Sequence, residues 1–226
     1  RGIDYALTHQ AQYVLLLNND TLVAPDVVDE LMSEMSDDVG IVAPAIYYAD
    51  SPNKMWSVWG KRHPLTLERV GSQRDQYDRG QWDAAIECDY LVGCALLLSR
   101  ELLLDVGAFD ERFFMYYEDM DLSLRSRKAG FKLILNPKAR LWHKVSASSG
   151  GNDSPNERYW MARSSVLFFA KHASSWQLML IVPYRLGSMI KTLLRLTSRG
   201  RWDSVAAYLK GLRSGIAAAW SLRGSQ

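Results

Sequence analysis

The sequence predicts an α/β fold that continues into a helical, basic C-terminal region. Three observations lead there. Tyr13-Val14-Leu15-Leu16-Leu17 is an uninterrupted apolar run, the pattern of a strand covered on both faces, and it ends in the polar cluster Asn18-Asn19-Asp20-Thr21. Strand-like and helix-like stretches then alternate as far as His143. From Glu157 onward the pattern is helical.

The elements follow in order. Residues 1–12 read as the end of a helix leading into the first strand. Pro25 opens a helix over Asp26–Met35 with acids in its first turns. Val39–Ala43 is the next strand. Residues 45–84 scatter Trp56, Trp59 and Trp82 among charges and glycines, and read as a loop-rich insertion with short strands. Glu87–Val92 and Ala95–Ser99 read as strands flanking Gly93. Arg100–Val106 is a short helix stopped by Gly107. A second helix begins in the acidic segment at Glu118 and stops at Gly130. Phe131–Leu135 and Ala139–Trp142 read as two strands separated by the turn Asn136-Pro137, the second ending at His143. Residues 146–154 are Ser/Gly-rich and read as mobile. Glu157–His172, Leu178–Leu196 and Ser204–Trp220 are helical. The expected division is an α/β domain over 1–150 and a helical region over 151–226.

Composition narrows the function. Hydrophobic residues make up 48% of the 226, enough for one sizeable core. Cys88 and Cys94 form neither a disulfide framework nor a metal-type cluster, and read as reduced core residues on neighbouring strands of a cytoplasmic protein. No signal-peptide pattern is seen, and no stretch of about 18 uncharged apolar residues is available to span a bilayer. Net charge is +2 but unevenly spread. From Lys171 to the end, nine Lys/Arg face the single acid Asp203, a surplus of eight, so residues 1–170 hold six more acids than bases. An acidic body suits a bound cation, and a basic tail suits an anionic lipid surface or nucleic acid. Nucleic acid is the poorer match, because the basic residues alternate with apolar runs and the body repels phosphates.

Several residues carry candidate chemistry. Glu118, Asp119 and Asp121 fall within four residues, directly after the aromatic run Phe113–Tyr117 and where a helix should begin. The helix dipole favours their ionised form. A carboxylate held there can accept a proton from a substrate hydroxyl; a solubilising helix start is the alternative. Asp20, at a strand end with Asn18 beside it, offers a hard oxygen ligand to Mg²⁺ or Mn²⁺, or simply caps a polar turn. His143 offers an imidazole at the end of another strand, although a lone histidine there is more often structural. Gly93, beside Cys94, permits close approach of a ligand or a tight turn. Arg163 could pair with a phosphate, or be a surface arginine.

Taken together, these segments resemble family 2 glycosyltransferases of the GT-A fold, bacterial rhamnosyltransferase-like members in particular, over about Arg1–His172. Leu15-Leu16-Leu17-Asn18-Asn19-Asp20-Thr21 resembles the family's aspartate-rich metal and nucleotide motif. Asp89-Tyr90-Leu91-Val92-Gly93-Cys94-Ala95 and Val106–Phe114 resemble its acceptor-side segment. Tyr117-Glu118-Asp119-Met120-Asp121-Leu122 resembles the Glu-Asp motif whose aspartate is the general base. Leu141-Trp142-His143 resembles the segment that gives a histidine to the metal, and Tyr159-Trp160-Met161-Ala162-Arg163 a Tyr-x-x-Arg element.

The resemblance implies a nucleotide-sugar donor held at Asn18, Asn19, Asp20 and Arg163, with Mg²⁺ or Mn²⁺ on Asp20 and His143. It implies Asp119 as base with Glu118 beside it, and an acceptor at Gly93, Cys94, Glu118, Asp121 and Trp142. The implied reaction is inverting, non-processive transfer of one sugar, with dTDP-rhamnose as a candidate donor, to a saccharide or lipid-linked hydroxyl in bacterial cell-surface polysaccharide synthesis. The Gln-x-x-Arg-Trp motif of processive synthases is absent. Two departures are plain. The aspartate-rich motif begins with Asn18, a poorer ligand than a carboxylate. The family's N-terminal strands are not among these residues, so poor transfer by this chain alone is the expectation. An inactive transferase fragment and a basic-tailed membrane-binding module are the competing readings. From Trp176 on, apolar faces flanked by basic residues are expected to lie on the inner face of the plasma membrane without crossing it; packing on the catalytic domain, or a homodimer, is the other outcome.

Overall fold

The computed structural model describes residues 1–56, 59–70, 74–144 and 152–223. Its class is the expected mixed α/β. In chain order the elements are α1 (Gly2–Thr8), β1 (Tyr13–Leu17), β2 (Thr21–Val23), α2 (Val27–Ser33), β3 (Val39–Tyr48), β4 (Ser51–Met55), β5 (Lys61–Arg62), β6 (Arg69–Val70), β7 (Ile86–Cys88), β8 (Ala95–Ser99), α3 (Arg100–Asp105), α4 (Glu118–Lys128), β9 (Lys132–His143), α5 (Pro155–His172), α6 (Ser175–Ser198) and α7 (Trp202–Arg223). The chain packs as two units: Arg1–Arg62, Arg69–Asp110 and Asp119–Val145 form the first, and His63–Glu68, Glu111–Glu118 and Ser146–Gln226 the second. The Ser/Gly-rich stretch read as mobile lies, through residue 151, outside the described residues.

The first unit is built on a seven-stranded sheet of main order β1-β8-β3-β9-β2, with β4 added to β3 and β7 to β9. Among the described strands of this sheet only β3 and β9 run parallel; the other pairs are antiparallel. The period-2 alternation of strands divides the core between two faces. Ile41, Ala43, Leu96, Leu98, Leu133 and Leu135 pack with Leu102, Leu103 and Leu122 of α3 and α4. Val42, Leu97 and Ala139 pack on the opposite side with Val27 and Leu31 of α2. β8 is therefore buried along its whole length. Ser99 ends β8 and caps α3, its hydroxyl accepting from Leu102 N at 3.2 Å.

β1 packs Val14 and Leu16 on one core cluster and Leu15 on the other, as a strand covered on both faces does, with Tyr13 and Leu17 at its ends exposed. Three expectations are corrected. β3 does not stop at Ala43 but continues through Pro44 to Tyr48. The two strands read around Asn136-Pro137 are one strand, β9. Both differences have one cause. The β3–β9 register shifts between Pro44 and Ala45, so that Pro44 faces Asn136 and Ala45 faces Arg140. The two prolines, which lack a donor, sit together at this bulge, and pairing continues on either side of it. Finally, Cys88 and Cys94 are buried but not on neighbouring strands, since β7 pairs with β9 and β8 with β1 and β3.

The second unit is organised by helices α5, α6 and α7. Ser154 caps α5, accepting from Glu157 N at 3.2 Å, and Ser174 with Gln177 forms a capping box on α6. The buried Asp153 carboxylate is ion-paired with Arg195, with Arg199 at 3.3 Å and with Arg158 at 3.3 Å, while Ser204 Oγ donates to its carbonyl at 2.7 Å. One acid thus ties the start of α5 to the end of α6 and the start of α7. α7 lies against α5 through Gly211 and Gly215. A Cβ on Gly211 would collide with the Tyr159 carbonyl, and one on Gly215 would come within 2.7 Å of the Arg163 carbonyl oxygen. Two small residues four apart let the backbones meet. Gly187, on α6, has open space around it.

These glycines should respond oppositely to the same change. Gly211→Ala should destabilise by about 1–3 kcal/mol or more through overpacking, whereas Gly187→Ala should stabilise by about 0.5–1 kcal/mol through lost unfolded-state freedom. Urea denaturation of both variants measures this; equal, small effects would contradict the close α5–α7 contact.

Candidate active site

The site starts at the far end of β9. β2 pairs antiparallel with that end, placing Thr21 opposite His143. Asp20 immediately precedes Thr21, so its Oδ1 lies 3.1 Å from His143 Nε2 although 123 positions separate them. The turn that carries Asp20 is fixed by its backbone. Asn18 N donates to the Cys94 carbonyl at 3.0 Å, Thr21 Oγ1 donates to the Asn18 carbonyl at 2.7 Å, and Lys144 N donates to the Asp20 carbonyl at 2.9 Å. Asn18 and Asn19 are exposed beside it. Trp56 meets the His143 ring edge-on, with centroids 4.4 Å apart. His143 Nδ1 is buried and has no hydrogen-bond partner among the described residues.

This donor set fits a hard divalent cation. Two ligands in adjacent positions, each about 2.1 Å from one ion, stand about 3 Å apart, which matches the Asp20–His143 separation. Among the described residues no group of three or more His, Cys, Asp or Glu forms a metal cluster. An ion held by this pair would draw its other ligands from water and substrate phosphates, the common arrangement for Mg²⁺.

The second locus is the start of α4. Asp119 is half-buried there, its Oδ2 accepting from Gly93 N at 3.1 Å and its Oδ1 from Met120 N at 2.7 Å. One turn on, Ser123 Oγ accepts from Leu91 N at 3.3 Å, so alternate amides of the 91–93 segment bond to one face of α4. Burial pushes the Asp119 pKa up, while the Gly93 and Met120 N–H groups and the charge of Arg69 pull it down; the net direction is upward. Arg69 lies over the Tyr90 ring at 5.7 Å and is bonded to its hydroxyl at 3.4 Å. Adjacent residues link the two loci. Gly93 donates to Asp119, and Cys94 accepts from Asn18 of the Asp20 turn.

The chain matches the family model "glycosyl transferase family group 2" over residues 13–199. It belongs to that family. With membership comes the GT-A reading of the α/β sheet. An N-acetylglucosaminyl-diphospho-decaprenol L-rhamnosyltransferase of Mycobacterium tuberculosis is 39% identical over 180 residues, covering 73% of this chain and 57% of that protein. A dTDP-rhamnosyl transferase of Shigella flexneri is 20% identical over 178 residues, covering 76% of this chain and 58% of that one. The chain thus spans little more than half the length of these relatives. Among solved structures, a mannosyltransferase of Pyrobaculum calidifontis in complex with GDP-Man and Mn²⁺ aligns with a TM-score of 0.48 at 16% identity, covering 98% of this chain and 56% of that one.

The remaining candidate residues have clear places in this family member. Asp121 is fully buried and ion-paired with Arg125 at 2.8 Å; Arg125 also donates to the Val106 and Ala108 carbonyls at 2.6 and 2.7 Å. That geometry makes Asp121 a support for α4. Cys94 offers its backbone, while its thiol, pushed up to about 12 by burial, lies in a core cluster with Ile46 and Leu141. Trp142 packs against the main core, and its indole N–H donates to the Pro52 carbonyl at 3.1 Å. Glu118 is the first residue of α4. Arg163, in the helical unit, donates to the Arg112 carbonyl at 2.7 Å and lies over the Trp160 ring at 5.5 Å. Sequence reasoning missed Arg69 and Trp56, which lay in the segment read as a loop-rich insertion, and Ser123. The one available signal was the Asp89–Ala95 motif, since Tyr90 holds Arg69.

Within the helical unit, the segment leading to α4 is strained and anchored. Tyr116 and Tyr117 have φ of 64° and 68°, the left-handed region, at a cost of about 1–3 kcal/mol each. Tyr117 stacks on Phe168 at 5.3 Å, and Ser164 Oγ donates to the Met115 carbonyl at 2.8 Å. An aromatic pair contributes about 0.5–1.5 kcal/mol beyond burial, so these anchors offset the strain only jointly.

Proposed function

We propose that this chain carries the catalytic core of an inverting, non-processive glycosyltransferase that moves one sugar from a nucleotide-diphosphate donor to a hydroxyl of a lipid-linked saccharide. The observation that carries this reading is the pairing of two loci through residues 93 and 94. One is a carboxylate–imidazole pair with ligand spacing, the other a desolvated carboxylate at a helix start. Family membership supports the transfer. The names of the relatives support dTDP-rhamnose as donor and a polyprenol diphosphate-linked acceptor, hence a role in bacterial cell-surface polysaccharide synthesis.

In this mechanism Asp20 and His143 would hold a Mg²⁺ or Mn²⁺ ion, which would neutralise charge on the departing diphosphate, and Asn18 and Asn19 would contact the donor. Asp119 accepts the acceptor's hydroxyl proton as that oxygen bonds to the anomeric carbon. The sugar–phosphate bond breaks on the opposite face, its electron pair leaving with the nucleotide diphosphate, and the anomeric configuration inverts. Gly93 N–H and Met120 N–H hold the base in place. Its raised pKa makes it a stronger base than an ordinary carboxylate, while it stays usable above that pKa. Glu118 orients the acceptor beside it, and Asp121 fixes the helix that presents both. The outward side of α6 exposes Trp176, Met179, Leu180, Tyr184, Ile190 and Leu194 with Lys191 among them. No described helix is long and apolar enough to cross a membrane. We assign this face to the anionic inner surface of the plasma membrane.

Asp119→Asn in the intact protein should lower turnover by about 10²–10⁴-fold while Mn²⁺-dependent nucleotide binding survives. Stability should move the other way. A carboxyl whose folded pKa is raised destabilises the fold when ionised, so the variant should match or exceed the parent's melting temperature at neutral pH. The difference should shrink as pH falls through the folded pKa toward the unfolded value of about 3.9. Near-normal turnover would remove Asp119 from the mechanism; lost turnover with a lower melting temperature would point to a structural role.

For the membrane face, the intact protein should float with vesicles rich in anionic lipid at low salt. Trp176→Ser with Leu180→Ser should release it. Absence of flotation, or flotation untouched by the double variant, would refute the assignment.

A further inference from the structure

The helical unit contains a feature that the transfer chemistry does not use. α5, α6 and α7 enclose a groove of about 320 Å³, within the lower range of small-molecule pockets. Its walls are apolar: Phe169 from α5, Ile181, Leu186 and Met189 from α6, Leu212 and Ile216 from α7. Two polar groups line it, Arg185 and Ser165, apart from the Tyr208 phenol, and they are bonded to each other at 3.0 Å, with Arg185 also paired to Glu68 at 3.2 Å. Apolar side chains far outnumber these groups, two of which already bond each other, so the wall selects hydrocarbon.

The groove is reachable from solvent. Val182, Leu186 and Ile216 line it and are 50, 50 and 51% exposed. Helical neighbours continue the apolar surface outward: Ile190 lies one turn from Leu186, and Trp220 one turn from Ile216. α6 is thus apolar on opposite sides, outward through Trp176, Leu180 and Tyr184 and inward through Ile181 and Met189. A helix apolar all round is stable only when both sides are covered. From Lys171 onward basic residues exceed acids by eight; Arg185, Arg195 and Arg199 are paired with Glu68 and Asp153, and the surplus that remains favours an occupant with an anionic head.

We propose that the groove between α5, α6 and α7 binds the hydrocarbon chain of a lipid phosphate, namely the chain of the acceptor. The occupant rests on the transferase reading above; the apolar, solvent-connected groove stands by itself. It gives the protein a hold on its acceptor that is independent of the sugar, so affinity grows with chain length while the reacting hydroxyl stays free.

The test is calorimetric titration of the intact protein with geranylgeranyl monophosphate, geranyl monophosphate and inorganic phosphate, each below its aggregation limit. The longer chain should bind at least tenfold tighter than the shorter, and inorganic phosphate should not bind the groove. Leu186→Gln and Ile216→Gln change half-exposed mouth residues, and each should weaken geranylgeranyl binding at least tenfold with melting temperature kept. Leu104→Gln, an exposed position on α3, should leave it unchanged. Affinity independent of chain length, chain-length dependence untouched by both mouth variants, or equally tight binding of dioctanoyl phosphatidylglycerol would overturn the proposal. Mn²⁺-dependent dTDP binding, measured on the same protein, separates the two readings. If it persists while chain binding fails, the groove assignment alone falls. If it is absent while chain binding holds, the groove remains a hydrocarbon site and the transferase reading falls.

Discussion

The Asp20–His143 pair hangs on the register of β9. This strand pairs with β3, β7 and β2, and its distal half is offset from its proximal half by the bulge at Pro44 and Asn136–Ala139. Asn136 fixes the bulge, its side-chain amide donating to the Glu30 carbonyl at 2.8 Å and its Oδ1 accepting from Lys138 N at 2.9 Å. The offset decides which face each of Arg140–His143 presents. A one-residue slip would turn His143 away and bring Trp142 opposite Thr21. The Asp20–His143 pair therefore depends on Pro44, Asn136 and Pro137, none of which touches it.

Asp119 sits under the opposite pressure. Desolvation disfavours its charged form, and two backbone N–H groups hold it in place without fully cancelling that cost. A fold selected for stability alone would replace such a residue. Two left-handed tyrosines directly before α4 add to the cost. Strain and desolvation gathered at one helix start fit the base proposed for Asp119 better than a solubilising cap.

Much of the first unit was legible in the chain. Alternation of apolar runs and helix patterns located most strands and helices, and the order of Asn18–Asp20, Asp119 and His143 pointed to one chemistry. What was hidden depends on partners. Pro137 looks like a break until Pro44 is seen opposite the same bulge. Arg69 and Trp56 lay among short strands whose pairing carries no local signal. The helical region was ambiguous for a related reason. Its apolar residues serve α5–α7 packing, an exposed face and a groove wall, and periodicity alone cannot divide them. The Gly211–Gly215 spacing was the clue to tight helix contact, and it went unread.

The central claim is that Asp20 and His143 together ligate one divalent ion, and pulsed electron paramagnetic resonance of Mn²⁺ on the intact protein with a bound nucleotide diphosphate tests it most directly. Nitrogen modulation from a directly bound imidazole is predicted, disappearing in His143→Gln. Nucleotide-dependent Mn²⁺ binding with no imidazole modulation, or modulation that survives His143→Gln, would contradict it.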